Sequence, residues 1–418
     1  MHDSFRRLVL SWLLVCSGAT IAPPAQEPVE ALERAARAGD VAAMVRLGER
    51  LEWGRGVPRD DARAFALHTK AAEAGDPLAM KCLGRMYGDG RGATRDAAAA
   101  LAWYRKAAER GNAKAMNNVG SLYDAGQGVA KSTTQAVSWF EKGADAGEPV
   151  AMLNLAAMCR RGEGVAKDEA RASALASKAF ARTSELATSG DIDATIQLAR
   201  LYYAGTGVAR DRAKAAELCA AAADAGDPLA MMMLSRMHGA GDGVARDEAR
   251  AIELCRQAAE QRDPPAMFQL ALIYQRGAGS AAAPDERAAA EWMRKAMDAY
   301  LQRAAWDNID AMRALGWIYS DARPNLSKDF ARAFEWYTKA AQAGDAESMY
   351  QLGRMCAAGQ GVSRDDVTAA AWYQHAAELG HPDAMRTLAD AYRNGAGVAR
   401  DEEVAQSWEA KAREAGTR

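Results

Sequence analysis

The sequence predicts an all-α fold, a solenoid of stacked helical hairpins, and three observations carry the prediction. The phrase Gly-Asp-x-x-Ala-Met-x-x-Leu-Gly, exact or varied, returns about every 36 residues, opening at Gly39, Gly75, Gly111, Gly147, Gly190, Gly226, Arg262, Asp307, Gly344 and Gly380. Each unit then shows two stretches with apolar residues at helical spacing. Between those stretches stands a G-x-G turn, as at Gly90/Gly92 and Gly162/Gly164. A hairpin of this length has no way to bury its own apolar face, so successive units must stack.

The chain has 418 residues, enough for several ordinary domains, but the unbroken period argues for one array over about residues 30–416. Hydrophobic residues make up 49%, so material for a packed interior is ample, and alanine dominates that fraction. Formal net charge is −2, too weak a field to draw nucleic acid or anionic lipid.

The first 19 residues read differently. Arg6 and Arg7 precede the apolar run LVLSWLLV, and Ser17-Gly18-Ala19 supplies small residues for cleavage. That order predicts a secretory signal peptide, hence a periplasmic or secreted protein. The alternative is an uncleaved membrane anchor, although the apolar run is short for a span. Cys16 raises lipidation, but Val15 is bulkier than the small residue that reading wants. Residues 20–29, with Pro23, Pro24 and Pro28, read as a tether.

The unit from Gly75 shows how each element arises. Asp76 is a natural N-cap, and Pro77 sits at the first helical position, where its missing N–H costs nothing. Ala79, Leu83 and Tyr87 form the apolar face of helix A. Gly84 recurs as Gly48, Gly120, Gly316 and Gly353; a mid-helix glycine costs about 1 kcal/mol against alanine, so a neighbouring group must crowd it. The G-x-G turn is expected to end helix A in left-handed geometry. With no strand before it and no Gly-Lys-Ser/Thr after it, it is no phosphate loop. Asp96 caps helix B, as do Asp60, Asp168, Asp211, Asp247, Asp365 and Asp401. Trp103, Tyr104, Ala107 and Ala108 supply its buried face, and Trp139, Trp336, Trp372 and Trp408 extend a tryptophan column read as core. A methionine column from Met44 to Met385 is read as helix-interface packing in place of copper binding.

Beyond the leader the cysteines are Cys82, Cys159, Cys219, Cys255 and Cys356, an odd number. Equivalent positions in adjacent repeats lie about 8–10 Å apart, beyond disulfide reach, so buried free thiols are expected.

The stretch GDPLAMKCLGRMYGDGRG, followed by AAAALAWYRKAAERG, resembles the Sel1-like repeat, a relative of the tetratricopeptide repeat. The likeness spans about ten units. It implies a right-handed α-superhelix used as an adaptor for protein–protein contacts. Some secreted members carry regular cysteine pairs in each repeat; this chain lacks them.

Two units depart from the period. The unit from Gly147 gains about seven residues through KAFARTSELATSG, and the unit from Arg262 about nine through GSAAAPDE and MDAYLQRAAWD. Both are expected to prolong helix B, as sub-array boundaries, hinges, docking ledges or neutral drift. The unit holding Asp321-Ala322-Arg323-Pro324-Asn325 has lost its G-x-G.

On helix A a second stripe varies freely between units, at positions six, ten and thirteen after the opening glycine. It yields the candidate partner-binding residues Lys81, Arg85, Arg200, Arg236, Phe268, Arg313, Trp317, Tyr350, Arg354 and Arg386, with Asn117 and Met232 in the same stripe. In superhelical arrays helix A lines the concave face, and arginine and aromatic residues are enriched in binding hot spots. A groove strongest between the fifth and ninth units, for a carboxylate-bearing protein partner, is the expectation. No catalytic, cofactor or metal residues are assigned. His-Glu-x-x-His, zinc-spaced cysteines, Gly-x-Ser-x-Gly and Ser-x-x-Lys are all missing from the sequence. The favoured reading is an exported, monomeric, non-enzymatic scaffold. The alternative is a peptidoglycan- or polysaccharide-associated accessory with weak, β-lactamase-like hydrolysis.

Overall fold

Helix caps decide where each element begins. The computed structural model describes residues 28–277, 284–321 and 327–416, and every regular element among them is an α-helix. In chain order these are α1 (Val29–Arg37), α2 (Val41–Trp53), α3 (Asp61–Glu73), α4 (Pro77–Asp89), α5 (Ala97–Glu109), α6 (Ala113–Ala125) and α7 (Thr133–Asp145). There follow α8 (Pro149–Arg161), α9 (Glu169–Thr188), α10 (Ile192–Ala204), α11 (Arg212–Asp224), α12 (Pro228–Ala240), α13 (Glu248–Glu260) and α14 (Pro264–Arg276). The last seven are α15 (Glu286–Ala304), α16 (Ile309–Ser320), α17 (Phe330–Gln342), α18 (Ala346–Ala358), α19 (Asp366–Glu378), α20 (Pro382–Asn394) and α21 (Glu402–Gly416). The leader, nearly all of the tether, most of GSAAAPDE and the turn from Ala322 to Asn325 lie outside the described residues. No helix among the described residues is long and apolar enough to cross a membrane.

From α2 onward, even-numbered helices are the A helices of the ten units and odd-numbered ones the B helices. All seven aspartates expected to cap B helices do so. Asp168, for instance, accepts from the Arg171 N–H at 2.8 Å, and Asp96 accepts from Ala98 and Ala99. Asp285 and Asp329 do the same for α15 and α17.

The residues group into two compact units. The first comprises the chain up to Arg59, Asp76–Leu78 and Tyr104–Gln261; the second comprises Asp60–Gly75, Ala79–Trp103 and the chain from Arg262. In the first, α6 pairs with α7, α8 with α9, α10 with α11 and α12 with α13. In the second, α14 pairs with α15, α16 with α17, α18 with α19 and α20 with α21. Within each unit the B helix also packs on the next A helix, so the apolar seam is shared from repeat to repeat. Ala136, Phe140, Met152, Leu155, Cys159 and Ala179 build one stretch of seam in the first unit. Tyr373, Ala376, Leu388 and Ala412 build one in the second.

Both glycine positions have packing reasons. A methyl group on Gly120 would lie 2.7 Å from the Phe140 ring, and one on Gly353 would lie 2.5 Å from the Tyr373 ring. The same two columns vary together along the chain. Gly48, Gly84, Gly120, Gly316 and Gly353 go with His68, Tyr104, Phe140, Tyr337 and Tyr373, whereas Ala156, Ala199, Ser235 and Ala271 go with Ala176, Cys219, Cys255 and Met293. Flat rings need the missing methyl, whereas alanine, cysteine and the pliable methionine do not. In the G-x-G turn the first glycine caps helix A in left-handed geometry, as expected; Gly162 has φ 71°. The second does more than turn the chain. A Cβ on Gly164 would stand 2.5 Å from the Thr133 carbonyl oxygen, so this glycine lets one turn lie directly on the preceding repeat's B helix.

The five described cysteines are buried, and none of them is in a disulfide. Of the methionine column, Met80, Met152, Met231, Met267, Met312 and Met385 are buried. The tryptophan column departs from expectation, being half-buried instead of core. A lysine three residues on covers the open face of Trp139, Trp292, Trp336 and Trp408, its Nζ 4.1–4.2 Å from the ring centroid. At i, i+3 spacing the ammonium reaches the ring that the core leaves uncovered.

The insertions do lengthen B helices: α9 has 20 residues and α15 has 19, against 13 for most others.

Candidate interaction surface on the A helices

In the first unit the stripe contributes Arg200 on α10 and Arg236 on α12. Both are exposed, and no carboxylate pairs with either among the described residues. Their charges oppose the burial that pushes the Cys219 thiol up to about 11, so that cysteine stays protonated near neutral pH. Arg55 in the same unit behaves oppositely. It is held by Asp193 and, at 2.8 Å, by the buried Asp227. With the Arg59 N–H donating to the Gln261 carbonyl at 3.0 Å, it fastens the turn after α2 onto the fifth and sixth repeats.

The second unit carries the other eight candidates. Lys81 and Phe268 are buried. Arg85 is half-buried and donates to the Cys82 Sγ at 3.8 Å. Phe268 supports Trp317, ring centroids 5.1 Å apart, and Trp317 remains 47% exposed. Tyr350 stacks on His381 at 4.8 Å, and the Arg354 guanidinium lies 5.9 Å from the Tyr350 centroid. Two arginines are spent within the fold: Arg313 on Asp310 and Asp345, and Arg386 on Asp383. The exposed pairs with Asp310 and Asp383 add little stability and the half-buried pair with Asp345 more, and all of them lower the charge left for a partner. Beyond the Tyr350 ring, Arg354 meets the Gln351 amide oxygen at 3.2 Å and no carboxylate among the described residues, so it keeps its charge.

Between α15, α16 and α18 lies a cleft of about 550 Å³, lined by Tyr300, Arg303, Asn308, Arg313, Trp317 and Glu347 among others. Most of these were not legible from the stripe. Tyr300 and Arg303 belong to the stretch that lengthens α15, and Glu347 sits one turn before Tyr350. His381 caps α20 by accepting the Ala384 N–H on Nδ1 at 3.1 Å, which leaves the proton on Nε2 to be donated to Glu347 at 2.9 Å. That bond, helped by one from Gln351, holds the Glu347 carboxyl at about 2 despite partial burial. On this surface Asp310, Asp345, Glu347 and Asp383 are each tied to an arginine or histidine.

The Sel1 repeat model matches ten consecutive segments between residues 41 and 417. Among solved structures, a protective antigen of uropathogenic Escherichia coli is 29% identical, covering 94% of this chain and 90% of that one, with a TM-score of 0.34. A Sel1 repeat protein from Oxalobacter formigenes is 27% identical over 65% of this chain and all of its own, with a TM-score of 0.38. An immunity protein from Pseudomonas aeruginosa is 20% identical over 53% of this chain and 81% of its own, with a TM-score of 0.39. No curated protein matches. With ten repeats accounting for nearly all of its helices, the chain belongs to the Sel1 repeat family, whose fold is typical of protein–protein interaction scaffolds.

Proposed function

We propose that this chain is an exported, non-enzymatic adaptor that acts as a monomer and holds a protein partner along its A-helix stripe. One observation carries the reading. On a frame whose alanine, leucine and G-x-G columns recur, the stripe varies from unit to unit and leaves Arg200, Arg236, Trp317 and Arg354 accessible, the residue types that anchor interfaces. Arg200, Arg236 and Arg354 retain unpaired charge, which favours an acidic partner. Export rests on the basic, apolar and small segments of residues 1–19.

Crosslinking in cells, followed by identification of the captured protein, tests the adaptor. Arg236→Glu with Arg354→Glu should abolish capture, and unchanged capture by that double variant overturns the groove. Cell fractionation with sequencing of the mature N-terminus tests export; a cytoplasmic protein retaining Met1 ends that part of the proposal. Turnover of a peptidoglycan or β-lactam substrate by the purified chain would replace the adaptor with the hydrolytic alternative.

A further inference from the structure

In the cleft of the second unit, Arg303 keeps donors that no carboxylate takes up among the described residues. Around it, Asn308 spends its side chain on both sides: Oδ1 accepts from the Ala311 N–H at 2.8 Å and Nδ2 donates to the Asp89 carbonyl. Arg313 is divided between Asp310 and Asp345, and Glu347 between His381 and Gln351. Arg303 differs. Only its Nε meets a carboxylate, Asp61 at 3.3 Å, and Asp61 is shared with Arg91 at 3.1 Å. The Arg303 side chain is 14% exposed and lines the cleft, so its two Nη groups stay without a protein acceptor among the described residues. Burial pulls this guanidinium below its usual range; Asp61 and, more weakly, Asp263 oppose that pull and Arg91 adds to it. Arg91 also meets Asp89 at 3.9 Å, which leaves Arg303 with the poorer share of Asp61 and with its Nη groups in a low-dielectric place, where an added anion is worth most.

We propose that this cleft is an anchor pocket for a carboxylate of a partner peptide, received by the free Nη groups of Arg303 with an adjoining apolar side chain against Trp317. The proposal rests on the reading of the A-helix surface as a docking face. A guanidinium fork fits a carboxylate by paired, charge-assisted hydrogen bonds, which a neutral amide does not match. Trp317, 47% exposed and backed by Phe268, supplies a firm apolar wall. The volume of about 550 Å³ suits one or two residues of peptide. Asp310 and Glu347 also line the cleft, so an entering anion meets some repulsion. Their ties to Arg313 and His381 keep them off Arg303.

The test uses the full-length chain and ligand-observed saturation-transfer NMR with three probes: N-acetylphenylalanine, its amide, and N-acetylphenylalanyl-glutamic acid amide. The first carries a terminal carboxylate and the third a side-chain one, so their relative affinities separate the two sources. Both acids should bind at least tenfold more tightly than the amide. Arg303→Met should remove that preference, and Asp61 keeps Arg91 in that variant, so the chain should still fold. Trp317→Ala, at an exposed position, should weaken all three probes. Asp310→Asn should tighten the acids by removing a like charge. Equal binding of acid and amide to the unaltered chain, or an undiminished preference in Arg303→Met, overturns the assignment. Because these probes bind without any cellular partner, failure of the crosslinking experiment would count against the adaptor alone.

Discussion

Helices α9 and α15 carry insertions of nearly equal length and put them to different use. The added turns of α9 bury small groups, Thr183 and Ala187, and the Thr183 hydroxyl only returns a hydrogen bond to the Ala179 carbonyl at 2.7 Å. The unit then reopens on an ordinary glycine, Gly190, with φ 92°. The added turns of α15 bury Tyr300 and Ala304 and direct Arg303 to Asp61. Beyond α15 the Trp306 carbonyl accepts from the Arg95 N–H at 2.8 Å, and the reopening residue is Asp307, a non-glycine with φ 56°. Added length gives a helix reach. Whether that reach becomes a junction depends on what its last two turns carry.

The sharpest way to break this comparison is to remove the carboxylate at the α15 junction. Asp61→Asn leaves Arg91 and Arg303 buried without their shared anion and should cost about 3–5 kcal/mol in urea unfolding. The α9 counterpart, Arg182→Ala, loses only an exposed pair with Glu185 and should cost under about 0.5 kcal/mol. Similar costs for the two would mean that the long helices are equivalent after all. Next in size, Tyr300→Ala should cost about 3 kcal/mol by emptying a buried ring, against about 1 kcal/mol or less for Thr183→Ala.

A third experiment carries the comparison to ordinary units, where a ring against glycine alternates with a non-aromatic side chain against alanine or serine. Gly353→Ala should cost about 1–3 kcal/mol by overpacking on Tyr373. In a double-mutant cycle with Tyr373→Cys the two changes should couple, because the second removes the clash; strict additivity would refute the ring-against-glycine account.

The smallest effect concerns acid. Glu347 has its carboxyl lowered from 4.5 to about 2 by the bond from His381, so its stabilisation is present above the ordinary carboxylate range and fades as pH falls from 4.5 through 2. Over that interval the urea midpoint of the unaltered chain should fall more than that of Glu347→Gln. Parallel curves would remove Glu347 from the account.

Much of the fold was legible because its causes are local. Asp168 caps α9, Pro149 starts α8 and Gly162 ends it, each within a few residues of the feature it produces. The candidate surface was legible only as a stripe. Position along helix A placed Trp317 and Arg354 correctly among accessible residues, but it gave no sign that Phe268 is covered or that Asp345 claims Arg313. The half-burial of the tryptophans escaped for a similar reason: apolar spacing marks the side of a helix, not how deeply its edge sinks.

Read alone, the 418 residues determined the period, the hairpin, the caps and the free thiols, because each follows from hydrogen bonds and apolar spacing inside a span of about 36 residues. Tertiary structure decided which turn lies on which distant repeat. Arg55 meets Asp227 across 172 positions, and Asn308 reaches Asp89 across 219. Such meetings depend on small angles accumulated over several stacked hairpins, and no single repeat encodes that sum. The unspent guanidinium of Arg303 arises in the same way, from the lengthened helix that carries it and from a carboxylate more than two hundred residues earlier in the chain.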